Sequence, residues 1–162
     1  MPQASPTLGH VFGYKTKNGI SLLQLAEIPR DRSLVLTRIC DGFLHPEYTM
    51  EDVTHILDKK ELFFLETPLF MVKRKSKVYQ QFFAFDFPSH VPEAVQLPEY
   101  QRGFTVLNDG TVKWYKKRRG SDFREFVSAL TPDFLELSPD ACWSLPDLRA
   151  FLEERKRIAD YI

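Results

Sequence analysis

Apolar and polar positions alternate most regularly along residues 102–120, RGFTVLNDGTVKWYKKRRG, where Asn108-Asp109-Gly110 interrupts two runs of strand-like period. That pattern predicts a β-hairpin. Its register follows from asking which pairing separates a dry face from a wet one, because a one-residue slip moves every side chain across the sheet. A two-residue Asp109-Gly110 loop leaves apolar side chains on both faces. A three-residue loop with Gly110 in the left-handed region, which its missing Cβ permits, puts Phe104, Val106, Val112 and Trp114 together. Thr105, Thr111, Lys113, Tyr115 and Lys117 then share the other face. Trp114 is therefore expected in the core, with Tyr115 outside among lysines.

The same patterning extends to the rest of the chain. Asn18-Gly19 predicts an earlier hairpin with Phe12, Tyr14, Leu23 and Leu25 on its core face and Lys15, Lys17 and Gln24 opposite. The turn-forming run Pro29-Arg30-Asp31-Arg32 precedes a short strand through LVLTRI, closed by Asp41-Gly42. Thr49, followed by Glu51 and Asp52, has the chemistry of a helix start, and a helix over about residues 50–60 would bury Val53, Ile56 and Leu57. ELFFLE at 61–66 fits either the end of that helix or a buried strand. Strands are expected at 69–72 and 79–87, the second a central strand with Tyr79, Phe83, Phe85 and Phe87 inward. Pro88, Pro92 and Pro98 make the following stretch an extended connection.

Beyond Gly120 the period becomes helical. Phe123, Phe126, Val127 and Leu130 follow an i, i+3, i+4, i+7 stripe behind a capping Ser121, and Thr131-Pro132 is expected to stop that helix. A last helix starts at Ser144 with Asp147 in a capping-box arrangement and Pro146 in its first turn, burying Leu148, Phe151, Leu152, Ala159 and Ile162.

Residues 1–8 read as a flexible leader and 9–162 as one α+β domain, since 162 residues at 43% hydrophobic content build one core rather than two. The fold expected is a mostly antiparallel, twisted sheet of six to eight strands, built from hairpins, with about three helices packed on one face. Twenty-two basic and twenty-two acidic side chains cancel, so any basic surface must come from local segregation of charge. The two cysteines, Cys40 and Cys142, sit in apolar surroundings and suit buried free thiols better than a disulfide framework. The start of the chain lacks a signal-peptide pattern and no run reaches membrane-spanning length, so a cytoplasmic protein without membrane contact is expected.

Candidate chemistry is sparse. Neither a nucleophile elbow nor a phosphate-binding or dinucleotide glycine motif occurs among the seven glycines, and no cofactor is implied. Cys40 reads as a strand-end core residue rather than a catalytic thiol. His45, Glu47, Glu51 and His55 are the best arrangement for a metal or an acid/base pair, with Glu51 and His55 at i, i+4 on one helix face. Ordinary surface roles account better for them, since a carboxylate at Glu51 is favoured in the first helical turn and His55 can simply bond to it. The basic clusters carry more physical pull: Lys113, Lys116, Lys117, Arg118 and Arg119 surround Tyr115, and Lys73, Arg74, Lys75 and Lys77 fill another loop. Cations that neutralise phosphates beside an exposed aromatic have the composition of a single-strand nucleic-acid platform. Charged strand ends also keep hairpins soluble.

The leading expectation is a small non-catalytic module that binds a protein partner as an adaptor, accessory subunit or inhibitor. A DNA- or RNA-binding accessory protein using the 113–119 hairpin is the alternative. A metal-dependent enzyme around His45 and His55 is the third class.

Overall fold

The computed structural model describes residues 7–30, 34–68, 82–84, 91–93, 95–140 and 145–154. Nine strands lie among them: β1 (Val11–Thr16), β2 (Gly19–Glu27), β3 (Leu34–Ile39), β4 (Phe63–Pro68), β5 (Phe82–Ala84), β6 (Tyr100–Val106), β7 (Val112–Arg118), β8 (Glu125–Phe126) and β9 (Ser138–Pro139). The helices are α1 (Met50–Leu57), α2 (Pro132–Leu135) and α3 (Leu145–Glu154). The class is α+β, as the hydrophobic patterning indicates. Instead of one sheet there are two, ordered β4-β3-β2-β1-β5 and β8-β7-β6-β9, antiparallel throughout except for the β6–β9 pair.

Five-stranded packing explains why the first hairpin has no wet face. Phe12, Tyr14, Leu23 and Leu25 pack under Leu148, Phe151 and Leu152 of α3, on the expected core face. Val11, Ile20 and Leu22, of opposite parity, pack against Val53, Ile56 and Leu57 of α1. The two longer helices thus cover opposite faces of this sheet, correcting the expectation that all helices lie on one side. Gln24, expected among solvated lysines, is fully buried, its amide nitrogen donating to the Gly9 carbonyl at 3.2 Å. The turn is centred on Lys17 and Asn18, with Thr16 paired to Gly19. Gly19 has φ 128°, and a Cβ there would stand 2.6 Å from the Leu44 carbonyl oxygen, so this close approach requires glycine.

Helix α1 begins as expected. Thr49 Oγ1 accepts from the Asp52 amide, and the Asp52 carboxylate accepts from the Thr49 amide at 2.7 Å, completing a capping box. Its far end meets Arg38, which is buried in β3 and donates to the carbonyls of Leu57 at 2.8 Å and Lys59 at 2.6 Å, and to Gln24 at 3.1 Å. A cation is favoured at a helix C-terminus, and Glu61 lies 3.4 Å away to balance its charge. Of residues 61–66, ambiguous by pattern, 63–66 lie in strand β4. Cys40 is a free, buried thiol whose pKa burial pushes up to about 12, which makes it inert at neutral pH.

Several expectations fall wholly or partly outside the described residues: most of the 1–8 leader, the turn at Asp31 and Arg32, the strand at 69–72, Cys142, the Ser144 cap, and Ala159 and Ile162. Of the strand expected at 79–87, residues 82–84 are described as β5, which is outermost in its sheet rather than central among the described residues. No helix among the described residues is long and apolar enough to cross a membrane.

Candidate functional site

The second sheet carries most of the basic residues singled out by patterning, and it forms in the expected register. Val106 pairs with Val112 and Phe104 with Trp114 across a three-residue loop, with Gly110 at φ 83°. Asp109 Oδ1 accepts from the Thr111 amide at 2.9 Å, an interaction that holds the Asp109 carboxyl below the usual range.

The faces are reversed. Tyr115 is only 4% exposed, whereas Phe104 is 38% and Val106 57% exposed. Two features turn Tyr115 inward. Opposite it stands Gly103, where a Cβ would lie 2.5 Å from the tyrosine ring, so the ring can lie across the bare glycine backbone. In addition, the segment after α2 returns to pair β9 in parallel with β6 and delivers Asp140 to this face. Asp140 accepts from the Tyr115 hydroxyl at 2.9 Å and pairs with Lys117 Nζ at 2.6 Å. Burial, with the Asp140 hydrogen bond, raises the Tyr115 pKa and keeps the phenol protonated. On the opposite face, among the described residues, Phe134 of α2 stands edge-on to Trp114 at 6.0 Å, and Trp114 stays half-buried beside Phe104.

The 121–130 segment is the other correction. In place of a helix it runs along the outer edge of β7, pairing Phe126 with Tyr115 and Glu125 with Lys116. Ser121 Oγ accepts from Phe123 N at 3.1 Å, making a local turn rather than a helix cap. Thr131 and Pro132, expected to stop a helix, start one: Thr131 Oγ1 accepts from Phe134 N and Pro132 occupies the first turn of α2. The apolar stripe of the supposed helix is left in solvent, with Phe123 76% and Phe126 55% exposed and Leu130 also open.

Most of the hairpin's cations are already engaged. Lys116 pairs with Glu125 at 4.0 Å and lies over the Tyr100 ring, and Arg118 pairs with Glu99 at 3.7 Å. Arg119 meets Glu27 of β2 in a close ion pair and donates to the Pro98 carbonyl at 3.1 Å. A bulge in β2 between Leu25 and Glu27 makes Glu27 pair with Leu36, re-aiming it toward that contact. Lys113 remains exposed, 6.0 Å from the Phe126 ring. An outward, stacking Tyr115 is therefore contradicted, while Lys73, Arg74, Lys75 and Lys77 lie outside the described residues.

His45, Glu47, Glu51 and His55 are all exposed, and His45 Nδ1 accepts from the Glu47 amide at 3.3 Å. Among the described residues no group of three or more histidine, cysteine or acidic side chains is placed to hold a metal. A groove of about 470 Å³ opens where β4 faces β6 and β9, lined by Leu62, Phe63, Tyr100 and Leu137. Two of its carboxylates, Glu61 and Glu99, are committed to Arg38 and Arg118. Larger in consequence are the exposed Phe104, Val106, Phe123, Phe126 and Leu130 of the second sheet and its loops, which hydrophobic periodicity assigned to the core and whose advance signal was their density of aromatics. No protein-family model, curated protein or solved structure matches this chain.

Proposed function

We propose that this chain is a small non-catalytic protein-binding module, an adaptor, accessory subunit or inhibitor, that engages its partner through the second sheet. One observation carries the reading: Phe104 and Val106 are exposed on the Trp114 face of β6, Phe126 is exposed on the opposite, Tyr115 face, and Leu107, Phe123 and Leu130 are exposed in the flanking loops. Isolated surface apolar residues need no explanation, but Phe104 and Val106 stand two residues apart on one face of β6 beside the half-buried Trp114, which suits contact with another macromolecule. Trp114, half-buried between Phe104 and Phe134, is the type of anchor that dominates binding energy when water is excluded around it. The ion pairs of Lys116, Lys117, Arg118 and Arg119 support this over a nucleic-acid role, since their charges are balanced within the chain.

The test is affinity capture from the native source with quantitative mass spectrometry, comparing wild type with Val106→Asp and Phe123→Asp. Both positions are exposed, so each substitution should change stability by no more than about 0.5 kcal/mol. Wild type should retain a stoichiometric protein that both folded variants lose. Equal capture by all three, or capture of no stoichiometric protein, would refute the proposal.

A further inference from the structure

Resting on that reading, we infer that the partner presents an extended acidic segment with an apolar side chain between its carboxylates, held at the β7–β8 edge by Lys113, Arg124 and Phe126. Strand register puts these three on one face. Phe126 pairs with Tyr115 and Glu125 with Lys116, so Arg124 falls across from Lys117, while Lys113 is two residues before Tyr115. The face therefore presents an exposed aromatic with a cation on either side along the strand direction.

What separates these two cations from their neighbours is their lack of carboxylate partners. Lys116, Lys117, Arg118 and Arg119 each meet an acid, whereas Lys113 and Arg124 meet only rings among the described residues. Lys113 lies over Phe126 at 6.0 Å and Arg124 over Tyr115 at 4.6 Å. A cation resting on an aromatic keeps its charge available to an incoming carboxylate while its stem adds apolar contact. The backbone complements the side chains. In the order β8-β7-β6-β9, strand β8 is an edge among the described residues, so an extended segment can add beside it through main-chain hydrogen bonds and use alternate side chains for specificity. Two uncompensated charges suit a short acidic peptide, whereas a nucleic-acid strand needs a longer series of phosphate contacts.

The experiment is selection of a phage-displayed random 12-residue peptide library on the intact protein, followed by fluorescence anisotropy of the enriched peptides. Wild type should enrich sequences with Asp or Glu on both sides of Phe, Leu or Trp. Lys113→Glu/Arg124→Glu should weaken them about tenfold or more, as should raising the salt concentration. Phe126→Ser should also weaken them, whereas Thr54→Ala, on α1, should not. Enrichment of neutral or basic sequences, enrichment indifferent to the charge reversal, or no enrichment would overturn the inference. So would tighter binding of labelled oligo(dT) than of any peptide. If affinity capture still yields a partner that Val106→Asp loses but Lys113→Glu/Arg124→Glu keeps, only this inference fails. Loss of all capture would remove the broader proposal with it.

Discussion

Tyr115 shows how one position decides which face of a strand is inside. By hydrophobicity its face should be solvated, because it carries Thr105, Lys113 and Lys117 while the other carries Phe104, Val106 and Trp114. Local hydrophobicity is outweighed by two non-apolar features: a glycine opposite, which makes room for the ring, and a carboxylate arriving from 25 residues downstream to receive its hydroxyl. Gly103 was visible in the sequence as a residue without a side chain, but the arrival of Asp140 depends on the parallel β6–β9 pairing, which no local period announces. Gly103→Ala should therefore destabilise the protein by about 1–3 kcal/mol, an overpacking cost, since its Cβ would enter the ring. Urea denaturation checks this. Combined with Tyr115→Ala the loss should be less than the sum of the two, because the clash disappears with the ring. Strict additivity would show that the ring and the glycine are not coupled.

At the scale of elements, the capping hydroxyls of Thr49 and Ser121 show where local reading holds and where it fails. Thr49 starts α1 because a capping box and a stripe of Val53, Ile56 and Leu57 agree, and the five-stranded sheet offers that stripe a surface. Ser121 precedes an equally regular stripe, but β7 offers an open edge and its backbone captures 125–127, with Val127 N donating to the Trp114 carbonyl at 3.0 Å. Periodicity alone is blind to that competition. Thr49→Ala should cost about 1 kcal/mol at neutral pH, the usual loss of a cap, measured by thermal or urea denaturation. The pH dependence has a definite sign. Hydrogen bonds from the Thr49 backbone and hydroxyl lower the Asp52 pKa, so the stability they confer is present above the ordinary value of 3.8 and is lost as pH falls through the lower folded value. The difference between wild type and Thr49→Ala should shrink over that acid range. A difference constant down to pH 2 would contradict the reciprocal box.

Across the whole molecule, the hydrophobic pattern made the class, the two hairpins and two of the three helices legible. It did not show that the strands divide into two sheets, because that division depends on long-range contacts. Phe64 N donating to Ser138 Oγ at 3.0 Å and the Arg119–Glu27 pair join the sheets, and both link residues far apart in the chain. The division also governs exposure. The first sheet is covered on both faces by α1 and α3, whereas among the described residues the tryptophan face of the second meets just the four-residue α2. Its remaining apolar side chains have no described element over them, which is why residues that periodicity placed in a core belong instead to a surface. Photo-crosslinking tests that claim most directly, with benzoylphenylalanine replacing Val106 in one sample and Thr54, on the exposed side of α1, in another. Position 106 should crosslink efficiently to one protein partner in the native source while position 54 gives none. Crosslinks from position 54 but not from 106, or none from either, would contradict the account.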